Sequence, residues 1–334
     1  MKVLHLPYGG QMITLCAALR EIGIEATSCH FRRSNFQFQP DICLDLQKIS
    51  KSDHESVKRE FFEQAVKEFD VFHFHFGMTF FDDHSDLEYL KKLGKKIIVQ
   101  HRGSDVRRLS IARKLGNPYV RVKYPNEKRI VAELQKLSSF IDHAIVADYE
   151  LLPYVQDFYK YVHIIRQAID LKKFAPVYPS DAIKTPVIVH APSHPVIKGT
   201  MYVQNAIKML TKKGYPVDFQ LLRKVPHEEA LRMYERADII IDQMCIGSFG
   251  ILSLEGMALG KPVVCHIREG LVETYPEGLP IVNASPKNLY EKLKELVEHP
   301  EQLQELGMQG REYVEKHHDA SVIAKQLANL YQQL

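Results

Sequence analysis

No apolar run in this chain approaches the roughly 18 residues needed to cross a bilayer, and no stretch reads as low-complexity. The opening M-K-V-L-H-L-P-Y-G-G has a short apolar stretch but neither a long h-region nor a small-residue cleavage site, so no signal peptide is expected. Cysteine is sparse: Cys16, Cys29, Cys43, Cys245 and Cys265 are odd in number, scattered and never spaced C-x-x-C. That spacing argues against a zinc knuckle or redox dithiol and suits a reduced, cytoplasmic setting. A G-x-G-x-x-G turn after the first strand is also missing, which argues against a Rossmann dehydrogenase. The net charge of +3 says little by itself, and no nucleic-acid recognition motif accompanies it.

The chain has 334 residues, 45% hydrophobic and 25% charged. That is too long for one ordinary core and suits two domains of about 150 residues each. Lys2–Leu6 predicts a strand, Tyr8-Gly9-Gly10 a turn, and Met12, Leu15, Leu19 and Ile22 one face of a helix. Strands are expected at Val71–Phe76, Ile97–Gln100 and Ala144–Ala147, with helices at Asp86–Leu93 and Glu127–Leu137. Residues 167–186, holding Pro176, Pro179 and Pro186, read as a linker. A second series follows, with strands at Val187–Ala191, Asp218–Leu222, Asp238–Asp242 and Pro262–Cys265. Its helices fall at Val203–Lys213, His227–Arg236, Ile251–Leu259, Asn288–Glu298, Glu301–His317 and Ala320–Leu334. This alternation predicts mostly parallel sheets covered by helices. The expected fold is α/β, with two Rossmann-like doubly wound domains, 1–168 and 169–334, facing a central cleft. The last helix is expected to pack back on the first domain. Ligands in such sheets meet the carboxyl ends of strands.

Three segments carry chemistry. In G-S-F-G-I-L-S-L-E-G-M-A-L-G-K-P-V-V, Gly247 to Val264, a glycine-bearing loop enters a helix. Gly247 and Gly250 allow close backbone approach, and the helix start offers N–H groups to a diphosphate. Glu255, just over one turn into that helix, can accept hydrogen bonds from vicinal hydroxyls such as those of a ribose. In H-A-P-S-H-P-V-I-K-G-T, Lys198-Gly199 opens a helix where the ammonium can reach a pyrophosphate. In I-I-V-Q-H-R-G-S-D-V-R, a strand ends at His101, followed by Gly103, Asp105 and Arg107.

These segments resemble, in order and over nearly the whole chain, the motifs of retaining GT-B glycosyltransferases of glycosyltransferase family 4. The family form E-G-F-G-x-x-x-L-E-A-M-A-x-G-x-P-V is matched by S-F-G, L-E, M-A-L-G and K-P-V-V. The resemblance assigns Glu255 to the nucleotide ribose. The family's first acid, which touches the donor sugar, falls on Gly247. I-D-Q-M before the glycines resembles a bacterial subgroup carrying D-Q. His101 falls in a stretch similar to H-G-S-D-x-R, with Arg102 inserted, and is expected to face the donor sugar. Gly9-Gly10 resembles the family's glycine loop. Ile164–Pro176 resembles its P-N-G-V-D-x-x-x-F-x-P stretch.

The resemblance implies sugar transfer, with retention, from a nucleoside diphosphate sugar, a UDP-sugar, to a hydroxyl acceptor. Cell-envelope or polysaccharide biosynthesis would be the setting. His101 and Lys198 are the catalytic candidates. Gly9, Gly10, Lys198, Gly199, Arg223, Gly247, Ser248, Phe249, Gly250, Ile251 and Glu255 are the donor-binding candidates. No metal or further cofactor is required, because Lys198 and helix N-termini can stabilise the leaving diphosphate. Asp82, Asp83, His84 and Asp86 read as a helix cap and acidic first turn rather than a metal site. His73 and His75, on one side of a strand, are expected to line the interdomain cleft. Between Lys91 and Lys136 there are 14 Lys/Arg against three acids. Arg107, Arg108, Arg113 and Lys114 are therefore expected to meet an anionic acceptor or, peripherally, the inner face of the cell membrane. A GT-B protein kept for binding and a sugar-nucleotide epimerase are the alternatives.

Overall fold

The computed structural model describes residues 1–34 and 37–334. The chain divides into two compact units. One comprises Met1–Arg108, Tyr124–Ala168 and Ala320–Leu334, and the other Leu109–Lys123 and Ile169–Asp319. The main break falls between Ala168 and Ile169, while the short segment Leu109–Lys123 groups with the second unit.

The first unit runs β1 (Lys2–Leu6), α1 (Gly10–Glu21), β2 (Glu25–His30), β3 (Ile42–Cys43), α2 (His54–Glu68), β4 (Val71–His75), α3 (Ser85–Lys92) and β5 (Lys96–Gln100). After α4 (Leu109–Lys114), which counts with the second unit, come α5 (Glu127–Phe140), β6 (His143–Val146), α6 (Leu152–Val155) and β7 (Tyr161–Ile164). Its seven strands are all parallel, in the order β3-β2-β1-β4-β5-β6-β7. Parallel strands buried on both faces need continuous apolar runs, and V-L-H-L and I-I-V supply them.

The second unit runs β8 (Val187–His190), α7 (Pro195–Lys198), α8 (Thr200–Lys212), β9 (Asp218–Leu221), α9 (His227–Glu235), β10 (Ile239–Ile241), α10 (Ile251–Ala258), β11 (Val263–Cys265), β12 (Val282–Asn283), α11 (Leu289–Glu298) and α12 (Glu301–His317). Its five parallel strands take the order β12-β11-β10-β8-β9. Side chains alternate across the strand. Ile240 therefore joins Val189, Val263, Leu254 and Met257 on one face, while Ile239 and Ile241 join Ile188, Val203, Leu210 and Leu293 on the other. The terminal helix α13 (Ala320–Gln333) lies in the first unit and packs Ile323, Leu327 and Tyr331 into the core formed by Val3, Leu19, Val71 and Ile98. No helix among the described residues is long and apolar enough to cross a membrane.

Strand order reverses direction between β1 and β4 in the first sheet and between β8 and β10 in the second. Such switch points are where open parallel sheets present their crevices. The sequence reading found β1, β4, β5, β6 and β8 to β11. It passed over β2, β3, β7 and β12, which are short or polar.

Candidate active site

At the switch point of the second sheet, β8 leads to Lys198 and β10 leads to Asp242-Gln243. The Lys198 ammonium donates to Asp242 Oδ1 at 3.1 Å and to Gln243 Oε1 at 2.5 Å. The other oxygen of Asp242 accepts the Gly250 N–H at 2.7 Å and the Ser253 hydroxyl at 2.8 Å. One buried carboxylate thus ties the lysine to the first turn of α10. Gln243 Nε2 donates to the Ser248 carbonyl and holds the intervening loop.

Glycine leaves room at these corners. A Cβ on Gly250 would lie 3.1 Å from Asp242 Oδ2 and 3.2 Å from Lys198 Nζ. Gly199 has φ +75°, and a Cβ there would come within 2.9 Å of Cys245 Sγ and Met244 Cβ. Beside it, the Thr200 hydroxyl donates to His190 Nε2 at 3.0 Å, while His190 Nδ1 donates to the Ile241 carbonyl at 2.8 Å. Burial pushes this histidine down to about 4 and keeps it neutral.

The glycine where the resemblance expects an acid has a physical reason. Gly247 sits at φ +87°, and a Cβ would approach Asn117 Nδ2 to 2.9 Å and Arg268 Cβ to 3.2 Å. Asn117 donates to the carbonyls of Cys245 (3.0 Å) and Ile246 (2.8 Å), so Leu109–Lys123 braces the loop from its own unit.

The remaining donor candidates divide. Ser248 and Phe249 are buried, and the Phe249 ring packs against Tyr275 and His318. Ile251 is half-buried at the helix start and Arg223 is exposed after β9. Glu255 is buried, and its carboxylate accepts from His227 Nε2 at 2.6 Å. That hydrogen bond raises the imidazole above its ordinary value. Sequence reasoning missed His227, Asn117 and the role of Asp242. Of these only the D-Q pair had left a signal.

The first sheet's switch point is built differently. Gly9, with φ +128°, donates its N–H to His30 Nε2 at 3.1 Å, and Gly10 opens α1. His5, His73 and His75 are fully buried within this unit, so the expectation that His73 and His75 line an open cleft is corrected. Their imidazoles gather closely enough to suggest a metal, but the hydrogen bonds occupy the lone pairs. An arginine can only donate. Arg102 Nη2 lies 3.0 Å from His75 Nδ1, so that nitrogen accepts and His75 Nε2 donates to His5 Nδ1 at 3.1 Å. His5 Nε2 then donates to the Tyr331 oxygen at 2.9 Å, and the Tyr331 hydroxyl donates to His73 Nδ1 at 2.6 Å. The His73 and His75 rings stack 4° from parallel, so their in-plane lone pairs do not converge. Burial, reinforced by the Arg102 charge, drives His5 down to about 3, and burial likewise holds His73 and His75 far below the ordinary value.

His101 is 1% exposed, with Nδ1 donating to Asp105 Oδ2 at 2.7 Å and Nε2 accepting from the Tyr159 hydroxyl at 2.9 Å. Both nitrogens are committed within the first unit, and the ring has no free position in this state. Arg107 is buried in a bidentate pair with Glu150 at 2.9 and 2.6 Å. Arg108 is buried, donates to the Tyr154 carbonyl and lies over Phe158. These two are structural and do not belong to an open basic surface. Arg113 and Lys114 are exposed on α4. In the acidic stretch, Asp83 accepts from the Ser85 N–H at the start of α3, the N-cap is His84 without a side-chain cap, and Asp86 is buried on the Phe80 N–H and Thr79 hydroxyl.

Two parallel sheets, each in its own unit and each with this kind of strand order, are found in the GT-B class, and solved structures agree. Sucrose-phosphate synthase from Thermosynechococcus elongatus superposes with a TM-score of 0.67 at 16% identity, covering 100% of this chain and 99% of that one. HepE from Anabaena in complex with UDP gives 0.65 at 14%, covering 100% of both chains. A protein from Listeria monocytogenes assigned as a UDP-N-acetylglucosamine 2-epimerase gives 0.55 at 14%, covering 98% and 94%. The chain therefore has the GT-B fold. Residues 196–329 match the family described as Glycosyl transferase-like. No curated protein matches the chain.

Proposed function

We propose that this chain is a glycosyltransferase that takes a nucleoside diphosphate sugar, a UDP-sugar, and passes the sugar with retention to a hydroxyl acceptor. The observation that carries the reading is the cluster of Lys198, Gly250 and the first turn of α10 at the β8/β10 switch point. An ammonium has three donors. Two of those on Lys198 meet Asp242 and Gln243, which leaves one direction for a phosphate oxygen. The N–H groups of Ile251 and Leu252 have no acceptor inside the helix they start, and the helix dipole adds to their pull on an anion. Glu255, one turn deeper, takes the ribose hydroxyls and is held by His227. Catalysis of this kind rests on positioning and on stabilising the diphosphate as it leaves. Lys198 supplies the charge that a divalent ion would otherwise supply.

The GT-B fold, the Glycosyl transferase-like match over residues 196–329 and UDP in the HepE structure support this reading. The test is calorimetry with UDP, GDP and ADP in the presence of a chelator, followed by NMR of the anomer released by donor hydrolysis. UDP binding without metal and first release of the donor's own anomer are expected. Failure of all three nucleotides to bind, or release of the inverted anomer, contradicts it.

A further inference from the structure

We propose that Asp242 is an internal competitor for the diphosphate: it occupies Lys198 when the site is empty, and a bound nucleoside diphosphate takes the lysine from it. This rests on the donor site proposed above and concerns how strongly that site holds its ligand.

The two sides of the Lys198–Asp242 pair are not equally free to move. The Asp242 side chain is 0% exposed and is anchored through Oδ2 to the Gly250 N–H and the Ser253 hydroxyl. Lys198 is 18% exposed, at the end of a four-residue helix, and its long stem can swing. Exchange of partners therefore falls to the lysine, while the carboxylate stays on α10. The carboxylate also takes an N–H at the helix end that would otherwise meet phosphate. Any diphosphate reaching this turn approaches a fixed like charge.

Two opposite effects follow from such a carboxylate. It orients the ammonium, which favours binding by one well-placed hydrogen bond, and it repels the diphosphate. Repulsion between unit charges a few ångströms apart outweighs one hydrogen bond at the effective dielectric of a partly buried site. The net role is to lower affinity. In a transferase that role speeds release of the nucleoside diphosphate product, which commonly limits turnover. Asp242 is thus a positioning residue that acts through Lys198 without touching the sugar.

The experiment is a double-mutant cycle read by UDP calorimetry. Asp242→Asn keeps an oxygen for Gly250 and Ser253 and removes the charge. It is expected to tighten UDP by about tenfold, and in a Lys198→Met background the gain is expected to shrink to about threefold or less, leaving only the direct repulsion. A merely structural role gives equal losses in both backgrounds. A wild-type structure with UDP covers the case in which Asp242→Asn does not fold: Lys198 Nζ is expected on a phosphate oxygen and out of contact with Asp242. UDP that binds the wild type but binds Asp242→Asn no better, or a UDP complex that keeps the Lys198–Asp242 pair, overturns the proposal alone. A wild type that binds no UDP overturns the donor-site reading with it.

Discussion

The two sheets reach their switch points with the same parallel topology, yet the strand ends are finished in opposite ways. In the first unit, the Arg102 guanidinium, three imidazoles and a tyrosine hydroxyl form one buried hydrogen-bond chain that ends at His73, whose Nε2 is left without a partner. In the second unit, a buried carboxylate and a partly buried lysine sit at a helix start, with glycines beside them. The first arrangement is buried, with a single cation, Arg102, at one end of the chain. The second keeps charge where an anion can reach it. A common fold therefore does not give both crevices the same chemistry; the residues just past β1, β4, β8 and β10 decide.

The largest expected effect lies in the first unit and depends on pH. His5, His73 and His75 have folded values far below 6.5, with His5 at about 3. Groups depressed in this way contribute stability that is present above the unfolded value and is lost as pH falls toward the folded one. Three such groups give a slope of about 4 kcal/mol per pH unit once pH lies well below 6.5. That slope can exhaust a typical domain's stability within a few units. Urea unfolding at pH 7, 6 and 5 checks it; a flat profile shows that the cluster is protonated or open in solution. Tyr331→Phe leaves His5 Nε2 and His73 Nδ1 without their partner and is expected to cost about 2–4 kcal/mol. UDP affinity should not change.

In the second unit, Lys198→Ala is expected to weaken UDP by about 1.5–3 kcal/mol, the range for a hydrogen bond to a charged group. The Asp242 carboxylate would also lose its buried counter-charge, so the melting temperature should fall as well. Unchanged calorimetric affinity removes Lys198 from the site. Gly247→Glu restores the acid of the resembling family but places a side chain at φ +87° against Asn117. We expect about 1–3 kcal/mol of lost stability and no gain in donor affinity. A variant that is equally stable and binds UDP-sugar more tightly would show that the loop accommodates an acid.

Two smaller effects sharpen the contrast. Glu255→Gln removes the charge that raises His227, and UDP affinity should fall by about tenfold, roughly 1.4 kcal/mol. If 2′,3′-dideoxy-UDP binds the wild type as well as UDP does, the ribose assignment fails. Lys128, Arg129 and Lys136 on α5 are exposed basic residues of that stretch in the first unit, as are Lys91 and Lys92 on α3. Reversing them to Glu should reduce low-salt binding to anionic vesicles by about 1 kcal/mol per residue. Buried Arg107 and Arg108 are unsuitable for this test, because their replacement breaks contacts with Glu150 and Tyr154.

Much of this was legible in sequence. The strand signals of β1, β4, β5 and β8 to β11 announced parallel sheets, and the glycines before α10 marked the loop that enters it. What escaped depends on partners distant in the chain. His101 read as facing the donor sugar because nothing local shows that Tyr159, 58 residues on, meets its second nitrogen. Arg107 read as surface because its acid, Glu150, is 43 residues away. β2 escaped because E-A-T-S-C-H is half polar, and its Ser28 is satisfied by Asp41 from outside the strand. Asp242 lies within a segment that was noticed, but its link to Lys198 spans 44 residues.

Amide hydrogen exchange on the full chain with and without saturating UDP tests the central claim most directly. We predict protection confined to the Lys198–Tyr202 corner and the first turn of α10, with residues 5–9, 73–77 and 101–105 unchanged. Protection of the first unit's strand ends, with none in α10, would contradict the account.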